Sequence, residues 1–207
     1  MSRLRVAPIV EGYGEVESLR TLLQRVWYEI LGGAFIGVIQ PIRQPRGRLV
    51  QKGGLQKAVQ LALMKLKLLP ASPDPAMVLI LIDADEDCPA KLGPTLLDYG
   101  REVAQDADLA CILAKGEYET WFAAAAESLD KYLEFPPEFR PSEDPEGARQ
   151  GKAWVEGYFR GVKYSETQDQ PGMTSAMDTA LCRRRSPSFD KLCRELERRL
   201  RRQGPSA

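Results

Sequence analysis

The stretch "AMVLILIDADED", residues 76–87, decides the fold of this chain. Its unbroken apolar run ends abruptly at acids, which is typical of a strand buried on both faces of a parallel sheet. Strands and helices alternate around it. The pattern predicts further strands at 4–10, 34–42 and 109–116, and helices at 15–31, 55–68, 94–107 and 117–133. This alternation predicts an α/β fold with a parallel sheet flanked by helices, whose ligand site lies at the carboxyl ends of the strands.

Pro8 interrupts the first predicted strand. Proline has no backbone N–H to give to a neighbouring strand, so sheets tolerate it at edges and bulges. We therefore expect an edge position or a bulge at this point.

A segment rich in proline and acids, "EFPPEFRPSEDPEG" at 134–147, follows the predicted α/β part. Its composition is that of a surface loop or linker. Helical patterns resume beyond it at 147–160, 172–182 and 187–202. We predict an α/β domain at 1–145 and a helical C-terminal extension, 146–207, packed on it.

Composition excludes several kinds of chemistry. The 207 residues include no histidine, which removes Ser-His-Asp and Cys-His nucleophile systems and histidine-bound zinc. Lys and Arg together number 29 and so do Asp and Glu, so contact with nucleic acid must come from a local basic patch. No apolar run approaches the roughly twenty residues that span a bilayer, and the start does not resemble a signal peptide. We expect a cytoplasmic protein that does not contact a membrane.

A first acidic motif, "VEGYGEVE" at 10–17, stands between a strand and a helix. It is not a dinucleotide fingerprint, because Glu17 stands where the third glycine is needed and the acids would repel a pyrophosphate. Glu15 and Glu17 suit the positive end of a helix dipole. Glu11 sits where a strand ends at the ligand-binding edge, which favours a metal ligand or a general base.

A second acidic motif directly follows the buried strand and contains Asp83, Asp85 and Asp87. Alternate positions of an extended segment project to one side, so Asp83 and Asp85 can converge on one ion. Oxygen ligands without histidine or thiolate favour Mg²⁺ or Mn²⁺ over zinc. A solvated acidic loop is the alternative, and Glu11 at the end of another strand favours the metal site.

Basic residues provide two further candidates. Lys115 follows the predicted strand at 109–116, where a cation near a phosphoryl group can stabilise developing charge. A glycine-containing loop, "RQPRGRLVQKGG", can follow a phosphate backbone through its four cations, Arg43, Arg46, Arg48 and Lys52. The arginine-rich tail helix can equally be a solvated face or a docking surface.

Glu11-Gly12 at the end of one strand and Asp83-Ala84-Asp85 at the end of another resemble the Toprim domain of topoisomerases, primases and OLD-family nucleases. A second acid after the first, here Glu15, is similar to OLD-type nucleases. Four stretches also resemble small stand-alone Toprim-like proteins encoded beside AAA ATPases in bacterial defence and abortive-infection loci: "VEGYGEVESL", "LILIDADEDCP", "KGEYETWFAA" and the tail "YSETQDQPGMTSAMD…RSPSFDKL".

The resemblance implies a Mg²⁺- or Mn²⁺-dependent nuclease with one or two metal ions. It implies the metal ligands Glu11, Glu15, Asp83, Asp85 and Asp87, and a catalytic set of Glu11, Asp83, Asp85 and Lys115. The implied partners are nucleic acid, either DNA or RNA such as tRNA, and a nearby-encoded ATPase of the AAA or ABC type. Self-association into a homo-oligomer is left open.

Two rival functions are weighed against the nuclease. One is a catalytically inactive Toprim-like subunit that binds a partner or ligand. The other is a phosphatase of the haloacid-dehalogenase type, which also uses D-x-D after an apolar strand. That family places the pair on its first strand, and it would leave Glu11 without a role.

Overall fold

A computed structural model describes residues 3–148 and 150–202 of the chain. Its centre is a parallel sheet in the order β2-β1-β4-β5, with a short β3 that also pairs with β1. The strands are β1 (Arg3–Val10), β2 (Phe35–Val38), β3 (Ile42–Arg43), β4 (Ala76–Asp83) and β5 (Asp108–Ala114). The predicted α/β class with a parallel, helix-flanked sheet is confirmed.

Helices connect and cover these strands. Before β5 they are α1 (Tyr13–Arg25), continued by a π-helical turn (Val26–Ile30), α2 (Arg46–Leu49), α3 (Lys52–Lys67) and α4 (Pro89–Arg101). After β5 come α5 (Thr120–Ala124), a 3₁₀ turn (Ala126–Ser128), α6 (Lys152–Tyr158), α7 (Gln170–Ala176), α8 (Thr179–Arg185) and α9 (Pro187–Arg201). None of the helices in the described ranges is both long enough and apolar enough to cross a membrane.

The sheet separates two apolar layers, because alternate residues of each buried strand face opposite sides. On one side, Leu79 and Leu81 of β4 join the layer that contains α1 and α9. On the other, Ile80 and Ile82 join the layer that contains α3 and α4. Both faces of β4 are therefore covered, as its continuous apolar run predicts.

Pro8 does not lie at an edge, so that part of the prediction is wrong. It belongs to β1, which has β4 on one side and β2 and β3 on the other. The N–H of Arg5 donates to Pro75 on the β4 side, and N–H groups alternate sides along a strand. The ring nitrogen of Pro8 thus faces the break between β2 and β3, where no ladder hydrogen bond is lost.

Several predicted boundaries are also wrong. The strand predicted at 34–42 is broken into β2 and β3, and the loop at 43–54 contains α2 and the start of α3. Within the helix predicted at 117–133, the structure has only the short α5 and a 3₁₀ turn. The helix predicted at 172–182 is divided between α7 and α8. At this last break Asp178 caps α8, since its side chain accepts a hydrogen bond from the N–H of Leu181.

The C-terminal stretch packs on the sheet through α9. Phe189 lies edge-on against Trp121 with ring centroids 5.3 Å apart, and Trp121 Nε1 donates to Ser188 Oγ at 2.9 Å. At the far end of the helix the buried Arg199 pairs with Asp108, the first residue of β5. These contacts fix α9 along β5, while the division of the chain at residue 145 remains a prediction.

Candidate metal centre

Three carboxylates meet at the carboxyl edge of the sheet. Glu11 directly follows β1, Asp83 ends β4, and Glu15 lies in the first turn of α1. Because β1 and β4 are adjacent and parallel, their ends bring residues 72 positions apart in the sequence to one place. One oxygen from each carboxylate lies within 4.8 Å of the others, which is the spacing of groups that share a cation.

The charges at this cluster are strongly disfavoured in the absence of a cation. Burial, and after it the charge of Glu15, raise the pKa of Glu11 to about 7, while the charge of Arg46 opposes the shift. Burial also raises the pKa of Glu15. The pKa of Asp83 lies well above its ordinary value, first because of burial and then because of the charges of Glu15 and Glu11.

These shifts predict how the metal-free protein responds to pH. A carboxyl group with a higher pKa in the folded than in the unfolded state binds more protons when folded, so stability falls as pH rises between the two values. For Glu11 that window runs from its ordinary 4.5 to about 7. In EDTA, the free energy of unfolding should drop by on the order of 1–3 kcal/mol from pH 5 to pH 7.5.

Urea unfolding at a series of pH values measures this slope. Replacement of Glu11 by glutamine should flatten it, because the amide does not titrate. A wild-type stability in EDTA that is constant or rises over this window would contradict the assigned charge clustering.

The residues present fit a divalent cation. Oε2 of Glu11 is buried and has no hydrogen-bond partner among the described residues, and a polar atom left in that state costs about 1–3 kcal/mol. No ion pair within the described ranges involves Glu11, Glu15 or Asp83. Gly12 completes the fit, since a Cβ there would collide with the carboxylate of Glu15.

The other two predicted ligands, Asp85 and Asp87, are turned to a different partner. Arg46 pairs with Asp85 at 2.7 Å and also with Asp87. The same guanidinium donates to the carbonyl oxygens of Asp83 at 2.6 Å and Ala84 at 3.2 Å. Asp85 adopts a left-handed backbone with φ 47°, an uncommon conformation for a residue other than glycine. Arg46 therefore holds the turn that follows β4.

The four cations of the loop that was predicted to bind nucleic acid lie in different environments. Besides Arg46, which contacts the acidic turn, Arg43 stacks on the exposed ring of Tyr13 at 3.9 Å and donates to the carbonyl of Glu11. Lys52 pairs with Glu102 at 2.7 Å. Arg48 is exposed to solvent. Arg43 thus presents charge near the metal centre and Arg48 presents charge to solvent, whereas Arg46 holds the acidic turn.

Lys115 lies one residue beyond β5, on the same sheet edge as the carboxylates. Its N–H donates to Ser188 Oγ at 3.3 Å, which ties this turn to the start of α9. Its side chain lines a cavity together with Asp85 and Glu117. Lys115 thus lies at the carboxyl end of β5, and its catalytic role stays a prediction.

Further polar residues lie close to the three carboxylates and were not identified from the sequence. Glu119 is buried, accepts a hydrogen bond from Tyr164 at 2.8 Å, and has its pKa raised to about 7 chiefly by burial. Lys152 pairs with Glu166 at 2.7 Å, and the charge of Glu166 adds to the raised pKa of Glu15. The tail motif "YSETQDQ" contains Tyr164 and Glu166, and it was the available signal for these residues.

A comparison with protein families matches residues 10–197 to a domain of unknown function, DUF4276. No curated protein and no solved structure matches the chain. The matched span begins one residue before Glu11 and includes all three carboxylates of the cluster. The chain therefore belongs to the DUF4276 family.

Proposed function

We propose that this protein is a Mg²⁺- or Mn²⁺-dependent nuclease that hydrolyses phosphodiester bonds. The observation that carries the proposal is the cluster of Glu11, Glu15 and Asp83, whose oxygens lie within 4.8 Å of one another and include a buried oxygen without a partner. Carboxylate-only sites at strand ends suit a hard divalent cation.

Each residue of the site has a distinct role in the proposed reaction. Glu11, Glu15 and Asp83 would hold the cation. When bound, Mg²⁺ or Mn²⁺ polarises a phosphoryl oxygen and makes water a stronger nucleophile. Lys115, on the same edge, would stabilise negative charge that develops on the leaving oxygen. Asp85 shapes the turn through Arg46, and it joins the cation only if that ion pair opens.

The basic loop would guide the nucleic acid to the centre. Replacing both Arg43 and Arg48 by alanine should weaken binding to DNA or RNA and reduce the slope of log K against log salt by about 1–2, since each lost phosphate contact removes roughly 0.7–0.9. Filter binding at several salt concentrations measures the slope. The matched control is Lys67→Ala, an exposed cation at the end of α3. An unchanged slope in the double variant removes the loop from the binding surface.

The direct test incubates the protein with plasmid DNA, total tRNA and p-nitrophenyl phosphate, each with Mn²⁺ or EDTA. We expect cleavage of a nucleic acid with Mn²⁺, and at least a thousandfold loss in Asp83→Asn. Asp98→Asn is the matched control, because Asp98 is an exposed acid on α4 that pairs with Arg101. Hydrolysis of the small ester alone would point to a phosphatase.

The proposal extends to the cellular context that the Toprim resemblance implies. We propose that the protein is cytoplasmic and acts in bacterial defence with an AAA-type ATPase. If the purified chain binds Mn²⁺ but cleaves none of the three substrates, the same incubation is repeated with ATP and the proposed AAA-type ATPase partner. Continued absence of cleavage would contradict the nuclease function and favour a binding subunit.

A further inference from the structure

A cavity of about 330 Å³ opens beside the metal centre, at the carboxyl ends of β4 and β5. Its walls come from three parts of the chain: the turn after β4, the turn after β5 with α5, and the segment around α6. The residues that matter here are Asp85, Lys115, Glu117, Thr120, Glu146 and Ala153. A cavity of this size is at the lower end of the roughly 300–1,000 Å³ typical of small-molecule sites.

Thr120 supplies the first indication of a ligand. It is 1% exposed, it lines the cavity, and its hydroxyl has no hydrogen-bond partner in the described part of the chain. Buried hydroxyl groups are nearly always hydrogen-bonded in native structures. A polar ligand group that enters the cavity can form the hydrogen bond that this hydroxyl lacks.

The carboxylates of the wall determine which polar groups fit. Glu117 accepts the N–H of Lys152 with Oε2, and Glu146 accepts from Ser186 and Ser188 with Oε1. The second oxygen of each has no hydrogen bond from the described residues. These oxygens are acceptors, so the cavity favours ligand groups that donate N–H bonds. The wall has four acids, Asp85, Glu86, Glu117 and Glu146, against one cation, Lys115, so its interior disfavours a phosphate.

The cavity and the metal centre are neighbours. Asp85 lines the cavity two residues after Asp83, and Lys115 lines it one residue after Ala114, which is paired with Asp83 in the sheet. A phosphate held at the metal centre therefore places the sugar and base attached to it within reach of the cavity.

We propose that this cavity binds a nucleoside next to the scissile phosphate and prefers bases with an exocyclic amino group, such as cytosine and adenine. The inference rests on the proposed nuclease function for its role, but its test needs neither cleavage nor a metal ion. The amino group donates to a wall carboxylate. Uracil and hypoxanthine present a carbonyl oxygen at the same position, which the carboxylates repel.

Saturation-transfer NMR with nucleosides tests the cavity directly. The protein is mixed in EDTA with cytidine and uridine at equal concentration, and separately with adenosine and inosine. Within each pair the amino group is replaced by a carbonyl oxygen, and the adjacent ring nitrogen changes from an acceptor to an N–H donor. We expect at least threefold stronger saturation of cytidine and of adenosine than of their partners.

Two variants locate the binding. Ala153 is exposed and lines the cavity, so Ala153→Phe should fill it without disturbing the core and should remove the nucleoside signals. Ala71→Phe is the matched control, because Ala71 is exposed in the loop before β4, at the opposite end of the sheet. Both variants should keep the Mn²⁺-induced rise in melting temperature.

Equal saturation within each pair, or signals that persist in Ala153→Phe, would overturn the inference. Displacement of bound nucleoside by Mn²⁺ would identify a second cation site and would overturn it too. These outcomes leave the nuclease proposal standing if Mn²⁺ still supports cleavage. Conversely, selective nucleoside binding without any metal-dependent cleavage would contradict the nuclease proposal and keep the cavity assignment.

Discussion

Asp83→Asn is expected to raise the melting temperature of the metal-free protein by roughly 4–10 °C at pH 7.5. In the wild type, folding must either confine three carboxylate charges within 4.8 Å or take up protons to neutralise them. The amide removes that cost, which we place at about 2–3 kcal/mol, and 1 kcal/mol corresponds to about 2–4 °C for a chain of this length.

The same substitution should abolish the response to metal. Mn²⁺ or Mg²⁺ stabilises the folded wild type through binding, and at a hundredfold excess over Kd the gain is about 2.7 kcal/mol. Thermal scans in EDTA and in Mn²⁺ give both quantities from one preparation. Asp98→Asn, which changes an exposed acid of α4, should behave as the wild type. A destabilised Asp83→Asn protein that still responds to Mn²⁺ would show that Asp83 is a structural residue.

Phe189→Ala should lower the free energy of unfolding by about 3–5 kcal/mol, the usual loss for an aromatic residue removed from a core. Phe189 is fully buried against Trp121, so the truncation leaves a cavity between α9 and the sheet. Chemical denaturation measures the loss. Leu68→Ala is the comparison, because Leu68 is 82% exposed and its replacement should change stability by less than about 0.5 kcal/mol. A loss below 1 kcal/mol in Phe189→Ala would mean that α9 is dispensable to the core.

The sequence predicted the centre of the fold well, for a physical reason. A strand buried on both faces of a sheet must be apolar at every position, so Ala76–Asp83 is recognisable without knowledge of its neighbours. The acids that end β1 and β4 were recognisable in the same way, because the carboxyl ends of parallel strands share one edge. That argument alone brought Glu11 and Asp83 together.

The contacts of the acidic turn were not predictable, because they depend on the side chain of a distant residue. Arg46 was assigned to nucleic acid from its charged, glycine-containing surroundings, yet it lies 37 residues before Asp83 and donates to its carbonyl oxygen. Composition cannot distinguish an arginine that faces solvent from one that crosses to another loop. Asp85 was grouped with Asp83 by spacing and Asp87 by the Toprim resemblance. In the structure Asp85 has a left-handed backbone, and both acids pair with Arg46.

The positions of Pro8 and Glu119 relative to other elements explain the remaining differences between the predictions and the structure. Pro8 was assigned to an edge or a bulge because proline has no N–H for a neighbouring strand. In the structure it lies instead beside the break between β2 and β3. Glu119 directly precedes α5, and its local sequence does not distinguish it from an ordinary exposed acid at the start of a helix. In the structure Glu119 is buried, and Tyr164, 45 residues later in the chain, donates a hydrogen bond to it.

The most direct test of the account is a calorimetric titration of the purified protein with Mn²⁺, beside Asp83→Asn and Asp98→Asn. We predict saturable binding by the wild type and Asp98→Asn, and binding at least a hundredfold weaker in Asp83→Asn. Equal Mn²⁺ affinity in all three proteins would contradict the assignment of Glu11, Glu15 and Asp83 as a metal centre. It would also remove the observation on which the proposed nuclease function is based.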